Sequence, residues 1–441
     1  MNMKKQTLIS SFLIIWMLLS FTIAECQNAN LAYSINLELQ KSVSGEKIYL
    51  QRYSGKSLIS IDSIKLSSFK NAFRKENALE SGMYAISLKQ KPVVNFFISK
   101  ANQQQFTISL DINNPAQTIS FTGSPENQAF IDYLRFLGSK QHSQAEINIK
   151  GEQLQKQFPG SMLALFIRTM KEPNVPEPTK PVSDLIEYKY SYLANHYFDN
   201  IDFSDKRLLN TPLLEQKLGL YFKQMVVPQP DSIIERVDQT LQKAKVNNEM
   251  YNWSVRYLYN LYREAPIEGN TEVYNYIGEN YILTEPTRWN DKAFVEKVRS
   301  RVAKAKLNPI GEKATNLLLQ NPEGKKIDLY SIRANYTVLF FYNPECEACK
   351  PVSSALSDFS KKYRAKGVEV FAVYMDQKKE VWETAIATKG QNWINGYDPN
   401  GSAKIEDKYD IYALPMIYLL DKDKKVIGRE VPVEKLKNMI K

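Results

Sequence analysis

Residues 336–350 read YTVLFFYNPECEACK, and this stretch decides the fold of the domain that contains it. Its run Val338 to Tyr342 is β-branched and aromatic and too short for an independent helix, so it predicts a strand buried on both faces. Asn343-Pro344 ends this strand, because proline cannot donate to a β-ladder and disfavours helical geometry in the residue before it.

Two cysteines, Cys346 and Cys349, follow at the point where we expect a helix to begin. The N–H groups at a helix N-terminus carry a partial positive charge, which favours a thiolate on the first cysteine of a Cys-x-x-Cys pair. The pattern therefore predicts dithiol–disulfide exchange.

The overall composition is that of a globular protein, with 43% hydrophobic and 24% charged residues. A length of 441 residues predicts two or three domains. The net charge of +10 comes from lysines spread along the whole chain. Because no basic cluster or binding motif accompanies them, we expect no nucleic-acid partner.

The cysteine count limits what the pair can do, since the chain has only Cys26, Cys346 and Cys349. A zinc site needs four ligands, and the two histidines, His142 and His196, are far from the pair in sequence. We therefore expect no metal and no cofactor. A structural disulfide closing a short loop is the alternative to a redox pair.

Residues 1–24 have the pattern of a secretory signal peptide, with Lys4 and Lys5 ahead of an apolar core and cleavage expected after Ala24. Cys26 raises the alternative of a lipoprotein, although Glu25 occupies the position where a small residue is expected. An uncleaved membrane anchor is the third option. We expect export to the periplasm or cell envelope, where a dithiol has a function.

Residues 31–123 alternate with period two, which predicts strands at 32–39, 47–53 and 106–112. Turn signals lie at Gly45, Gly55, Gly82 and the Asn113-Asn114-Pro115 cluster. Strands spaced by about ten residues with turns between them favour a small antiparallel sandwich or barrel.

Residues 125–305 change to a helical period. The predicted helices are 126–137, 184–198, 213–225, 232–245, 250–262, 271–281 and 291–305. Prolines between 173 and 181 indicate a connector. The many tyrosines of this region favour core packing, with a peptide- or glycan-binding groove as the alternative.

Beyond a boundary at 307–311 the expected order is strand, hairpin, strand, Cys-x-x-Cys, helix, strand, helix, strand, strand and a closing helix. The predicted elements are strands 314–319 and 326–329, the strand before the cysteines, helix 349–363, strand 368–374, helix 378–388, strands 415–420 and 426–428, and helix 433–440.

Residues 308–441 resemble the TlpA/ResA branch of secreted thiol–disulfide oxidoreductases, which have a thioredoxin-like fold. The resemblance rests on Cys346-Glu347-Ala348-Cys349 after a strand, on Leu414-Pro415 before a later strand, and on the hairpin ahead of the core.

Residues 31–123 resemble a β domain of unknown function found before such modules in Bacteroidetes. Its likeness lies at Ile48-Tyr49-Leu50, Ile61-Asp62-Ser63, the Phe73 region and residues 81–86. The segments 196–205 and 208–212 are similar to the helical domain of unknown function in the same group.

The sequence thus predicts a multidomain α+β protein. Its parts are an N-terminal antiparallel β-sandwich-like domain (31–123), a central all-α domain (125–305) and a C-terminal thioredoxin-like α/β domain (308–441).

The resemblance implies roles for three residues. Cys346 would be the nucleophile, Cys349 the resolving thiol, and Pro415 a cis-proline facing the pair, with Leu414 bonding an extended substrate backbone. Two departures stand out. Phe340 occupies the position of the buried acid of thioredoxin, and Pro351 and Val352 stand in the region where the ResA-like branch has a glutamate, so no proton acceptor for Cys349 is visible.

Charges beside the pair act in opposite directions. Glu345 and Glu347 disfavour a thiolate on Cys346, whereas Lys350 favours it.

Two functions from different classes follow. The preferred one is an exported oxidoreductase that acts on protein disulfides as a reductant and needs an upstream electron donor, with membrane attachment through the leader or Cys26 as an option. The alternative is an envelope binding or assembly protein whose thioredoxin-like domain is a redox-inert platform.

Overall fold

A computed structural model of the chain describes residues 32–41, 45–99, 104–139, 141–179, 181–264, 269–389 and 392–440. The predicted leader and Cys26 lie outside the described residues. Within these ranges, no helix combines the length and apolar composition needed to cross a membrane.

The chain divides into two compact units, Met1–Tyr274 and Asn275–Lys441. The described part of the first unit has eight strands. They are β1 Tyr33–Leu39, β2 Lys47–Ser54, β3 Ser57–Lys65, β4 Lys70–Lys75, β5 Gly82–Leu88, β6 Lys91–Ile98, β7 Gln105–Leu110 and β8 Ser120–Thr122. They form two four-stranded sheets, in the orders β4-β1-β7-β8 and β3-β2-β5-β6.

One pairing in these sheets departs from the expected antiparallel arrangement. β1 and β7 are parallel, with Ile35 opposite Phe106 and Leu37 opposite Ile108. Parallel neighbours need a long crossover, and the intervening strands β2 to β6 provide it. A period-two pattern reveals each strand but not the direction in which it meets its neighbour.

Gly82 was expected in a turn, and this expectation is wrong. It is the buried first residue of β5, where a Cβ would lie 2.6 Å from the Cβ of Asn210. Glycine is therefore needed there because another chain segment approaches closely. The Asn210 side chain also donates to the Ser81 carbonyl at 2.9 Å, so the strands and the helical segments of this unit pack against each other.

The helices of the first unit follow the strands. They are α1 Pro115–Thr118, α2 Pro125–Gly138, α3 Gln144–Gln157, α4 Met162–Met170, α5 Leu185–His196, α6 Leu213–Leu220, α7 Pro230–Ala244, α8 Asn248–Glu264 and α9 Asn270–Ile277. α9 ends just inside the second unit. Short 3-10 or π segments, Lys206–Asn210, Tyr221–Met225 and Gly278–Ile282, lie beside or extend these helices.

Every helix expected in this region is present, but α3 and α4 were not predicted. α3 buries only Gly151 and Leu154, so its sequence has no apolar stripe. It begins with a capping box formed by Ser143 and Glu146. α4 is the opposite case, because its nearly continuous apolar run does not distinguish a helix from a strand.

The second unit contains a seven-stranded sheet in the order β10-β9-β13-β12-β11-β14-β15. Its strands are β9 Leu318–Gln320, β10 Lys326–Asp328, β11 Tyr336–Tyr342, β12 Val368–Tyr374, β13 Ile394–Tyr397, β14 Met416–Leu420 and β15 Val426–Arg429. Its helices are α10 Lys292–Ala305, α11 Cys349–Tyr363, α12 Lys379–Lys389, α13 Ile405–Lys408 and α14 Val433–Met439. Three 3-10 turns, Pro286–Arg288, Leu329–Ser331 and Arg364–Lys366, join them.

β11 lies inside this sheet, parallel to β12 and antiparallel to β14. Its even-numbered residues, such as Phe340, face a core with Leu356 of α11 and Leu436 of α14. Its odd-numbered residues, such as Phe341, face a second core with Tyr409. Both faces of the strand are covered, as residues 338–342 predicted, and the unit has the thioredoxin-like arrangement.

Candidate active site

The end of β11 and the start of α11 present the two cysteines. After Tyr342 the chain turns, with the Cys346 N–H donating to the Asn343 carbonyl at 3.1 Å. The Cys349 N–H then donates to the Cys346 carbonyl at 3.1 Å. The residue before the helix, Ala348, provides no side-chain cap. α11 begins at Cys349, so the partial positive charge of its N-terminus lies at the cysteine pair.

The two thiols differ in exposure. Cys346 is partly exposed, whereas Cys349 is 1% exposed and packs in the core beneath it. The site therefore has one sulfur that a second protein can reach and one that it cannot reach directly.

The loop before β14 forms the opposite side of the site. The peptide bond Leu414–Pro415 is cis, which confirms the geometry expected from the resemblance. The Cys346 Sγ lies 3.8 Å from the Leu414 carbonyl oxygen. The structure thus brings together Cys346, Cys349 and the Leu414-Pro415 pair, which are about 70 residues apart in sequence.

The acidic residues beside Cys346 each have a lysine partner. Lys378 Nζ lies 2.8 Å from the Glu345 carboxylate, and the pKa of Lys378 is raised by its hydrogen bond to that carboxylate. Lys350 pairs with Glu347, so its charge is directed to that glutamate as well as toward the thiol. Both pairs are solvent-exposed, so their influence on Cys346 is modest and sensitive to salt.

Sequence reasoning missed Lys378, although a signal for it existed. Parallel strands end at the same edge of a sheet, so the loops after β11 and β12 meet there. Asn343, after β11, donates to Asp376, after β12, at 3.2 Å. Lys378 follows two residues later.

Aromatic side chains surround the interior of the site. Phe340 is fully buried and stacks on Tyr342 with ring centres 5.1 Å apart, so the position of the thioredoxin acid is apolar here. Burial raises the pKa of Tyr342 to about 12, and the nearby Cys349 sulfur adds to the rise. The Tyr342 hydroxyl therefore stays protonated at neutral pH and is a polar group within electrostatic reach of Cys349.

The two histidines lie elsewhere. His142 stacks on Phe136 at 3.7 Å. His196 stacks on Tyr192 at 4.1 Å, and its Nδ1 lies 2.7 Å from Asp199. Among the described residues, no cluster of three His, Cys, Asp or Glu side chains could hold a metal ion.

Comparisons with known proteins match three parts of the chain to families or domains. Residues 310–429 match the AhpC/TSA family, residues 173–308 match the domain of unknown function DUF5106, and residues 33–130 match the domain of unknown function DUF4369. The thiol-disulfide oxidoreductase ResA of a Bacillus cereus strain is 33% identical over 126 residues, which are 27% of this chain and 68% of that protein. The chain belongs to the ResA family of thiol–disulfide oxidoreductases.

Two further similar proteins match over a larger share of this chain and of their own length. ResA of Bacillus thuringiensis subsp. konkukian is 32% identical over 137 residues, covering 30% of this chain and 74% of that protein. A thioredoxin-like protein from Bacteroides caccae shares the fold, with a TM-score of 0.50 and 24% identity over 61% of this chain and 97% of that one. The expected likeness to β and helical domains of unknown function is also confirmed.

As a ResA-family enzyme, this protein is a thiol–disulfide oxidoreductase with a thioredoxin-like domain, and this activity implies disulfide-containing protein substrates and redox partners. The two matched domains of unknown function precede the oxidoreductase domain in the chain.

Proposed function

We propose that the protein is an exported reductant of protein disulfides, and that Cys346 and Cys349 are its reacting residues. One observation carries the proposal. The partly exposed Cys346 Sγ faces the Leu414 carbonyl at 3.8 Å, while the buried Cys349 lies one helical turn behind it at the start of α11. Pro415 shapes the side of the site opposite the pair.

The reaction proceeds in two thiol exchanges. The Cys346 thiolate attacks one sulfur of the substrate disulfide, so a mixed disulfide forms and the other substrate sulfur leaves as a thiolate that takes up a proton. The Cys349 thiol then gives up its proton, and the resulting thiolate attacks the Cys346 sulfur and releases the second substrate thiolate, which takes up a proton. Two electrons pass to the substrate, and an upstream dithiol must reduce the resulting Cys346–Cys349 disulfide.

Reduction is the favoured direction because little around the pair stabilises a thiolate strongly. Glu and Ala separate the cysteines, and the nearest lysines are paired with Glu345 and Glu347. A strong oxidant owes its potential to a stabilised reduced form. A measured potential more oxidising than about −150 mV would overturn this direction.

Export is supported by the signal-like pattern of residues 1–24. The proposal places the β domain at 31–123, the helical domain at 125–305 and the thioredoxin-like domain at 308–441 of an envelope protein. Mass spectrometry of the mature N-terminus separates cleavage after Ala24 from a lipid on Cys26.

Insulin reduction by the full-length protein tests the reaction. The wild type should reduce insulin with dithiothreitol as donor, Cys346→Ala should abolish the activity, and the matched control Cys26→Ala should keep it. Absence of activity in all three proteins would favour the redox-inert platform instead.

Trapping identifies the substrates. Cys349→Ala removes the resolving thiol, so mixed disulfides through Cys346 should accumulate on envelope proteins. The double variant Cys346→Ala, Cys349→Ala is the control and should trap none.

A further inference from the structure

A buried ion cluster lies under the loop that leads to the active site. Both terminal nitrogens of Arg301 donate to the carboxylate of Asp410, which is 1% exposed. Arg429 adds a second guanidinium at 3.3 Å from the same carboxylate. One buried acid is thus held by two arginines.

The three residues come from separate elements of the second unit. Arg301 is on α10, Asp410 precedes the cis peptide bond, and Arg429 ends β15. Arg429 also donates to the Ala305 carbonyl at the end of α10, at 2.7 Å. Arg301 lies outside residues 310–429, which match the AhpC/TSA family, and inside the DUF5106 match.

Further contacts fix the same loop. The Arg301 guanidinium lies over the Tyr412 ring, 4.7 Å from its centre. Asn308, just after α10, donates to the Lys408 carbonyl at 2.7 Å. The Tyr418 hydroxyl donates to the Asp410 carbonyl at 3.2 Å.

This loop carries the edge that faces Cys346. Asp410 is four residues before Leu414, whose carbonyl oxygen is 3.8 Å from the Cys346 Sγ. A shift of Asp410 would therefore be passed along a short segment to Leu414, where the resemblance implies that the backbone of a substrate docks.

Stability alone is a weak reason for such a cluster. Desolvating a carboxylate and two guanidinium groups is costly, and well-packed apolar side chains often stabilise a core as well or better. A bidentate hydrogen bond between an arginine and a carboxylate fixes the position and orientation of the carboxylate.

We propose that Arg301 is a positioning residue for the oxidoreductase site. From a helix that precedes the family-matched domain, it fixes Asp410 and so sets the place of the 410–414 segment against Cys346. This inference rests on the proposed function, because the segment matters for turnover only if Cys346 is the reacting thiol.

Full-length wild type, Arg301→Ala and Arg301→Lys test the proposal, with Arg299→Ala as the matched control. Arg299 is on the same helix, is about half exposed and pairs at the surface with Glu296. The measurements are kcat and KM for a fluorescent insulin substrate, Tm, and alkylation of each cysteine under native conditions.

We expect Arg301→Ala to raise KM about tenfold with kcat within about twofold of wild type, because docking and not bond exchange is impaired. Arg301→Lys keeps the positive charge but cannot make the two parallel hydrogen bonds of a guanidinium group to the Asp410 carboxylate. Its KM should therefore lie between those of wild type and Arg301→Ala. Cys349 should stay protected from alkylation in both variants, which excludes general loosening of the core.

Each other outcome counts against the proposal. The proposal is overturned if Arg301→Lys and Arg301→Ala both have the same KM as Arg299→Ala. It is also overturned if activity is lost only to the extent that Cys349 becomes accessible to alkylation. If Arg301→Ala does not fold, the KM of Arg301→Lys decides. A wild type that does not reduce insulin overturns the proposed function as well, whereas an active wild type inactivated by Cys346→Ala leaves that function standing.

Discussion

At the scale of single residues, the charges beside Cys346 are balanced by contacts from two directions. Glu347 is paired with Lys350, three residues later in the chain. Glu345 is paired with Lys378, which arrives from the loop after another strand. The local sequence thus predicted two charges acting against a thiolate, and the fold supplies the counter-charge for one of them.

Lys378→Ala should slow the alkylation of Cys346. The carboxylate of Glu345, the residue before Cys346, would then lack its lysine partner and disfavour the thiolate. Because the pair is exposed, the expected effect is about twofold at low ionic strength and smaller in high salt. The rate of reaction with iodoacetamide at neutral pH measures it.

Lys379→Ala is the control for this experiment. Lys379 lies next to Lys378 but pairs with Glu383 on α12, at 3.2 Å. Its removal should leave the rate unchanged. An equal effect of the two substitutions would show that general surface charge, and not the Glu345 partner, is responsible.

At the scale of elements, local pattern predicted the C-terminal unit well. Helix α11 and strand β12 have the bounds expected from the sequence. Gly367, in the left-handed conformation, ends the 3-10 turn that follows α11 and directly precedes β12, so it separates the two elements. β13 was missed, since its four residues Ile394–Tyr397 include a buried glycine and show no clear period. It forms only because β12 and β9 offer edges to pair with.

Gly82→Ala should destabilise the first unit by about 1–3 kcal/mol, because the new Cβ would overlap Asn210. The free energy of unfolding from urea titration measures the change.

Gly138→Ala is the matched control. Gly138 ends α2, and a Cβ there meets no atom within 4 Å, so the substitution should be neutral or stabilise by up to about 1 kcal/mol. Equal effects of the two substitutions would contradict the close packing of β5 on the Asn210 segment.

At the scale of the whole molecule, buried tyrosines in both units make stability depend on alkaline pH. Burial raises the pKa values of Tyr84, Tyr342 and Tyr418 from 10.0 to about 12. Below pH 10 both folded and unfolded states keep these protons. Between pH 10 and 12 the unfolded state loses them first, so the free energy of unfolding falls as pH rises.

Each such tyrosine should account for about 2–3 kcal/mol of this loss. Urea unfolding across the window, followed by tyrosinate absorbance, measures it. Tyr418→Phe should make the decline less steep, and a free energy of unfolding that stays constant to pH 12 would contradict the burial of these hydroxyls.

The unit boundary at Asn275 predicts how the oxidoreductase part can be excised. α10 carries Arg301 and three buried valines, Val295, Val298 and Val302. A fragment starting at residue 309 would lose this apolar surface. It would also lose Arg301, so that Arg429 would be the remaining arginine partner of Asp410. The fragment 275–441 should therefore unfold at least about 5 °C higher than 309–441 in thermal denaturation. Equal Tm values would mean that α10 adds nothing to this unit.

The sequence by itself determined the order of elements around residues 336–350, the burial of β11 on both faces, the placing of Cys346 and Cys349 at a helix start, and the change from a β to a helical period near residue 125. These features follow from neighbouring residues, because periodicity, prolines, glycines and caps act over a few positions. The tertiary structure decided the rest. The parallel pairing of β1 with β7, the approach of Asn210 to Gly82, and the contact of Arg301 with Asp410, 109 residues away, depend on how distant segments meet. No local sequence pattern predicts these long-range contacts, because each partner by itself is an ordinary strand, glycine or charged side chain.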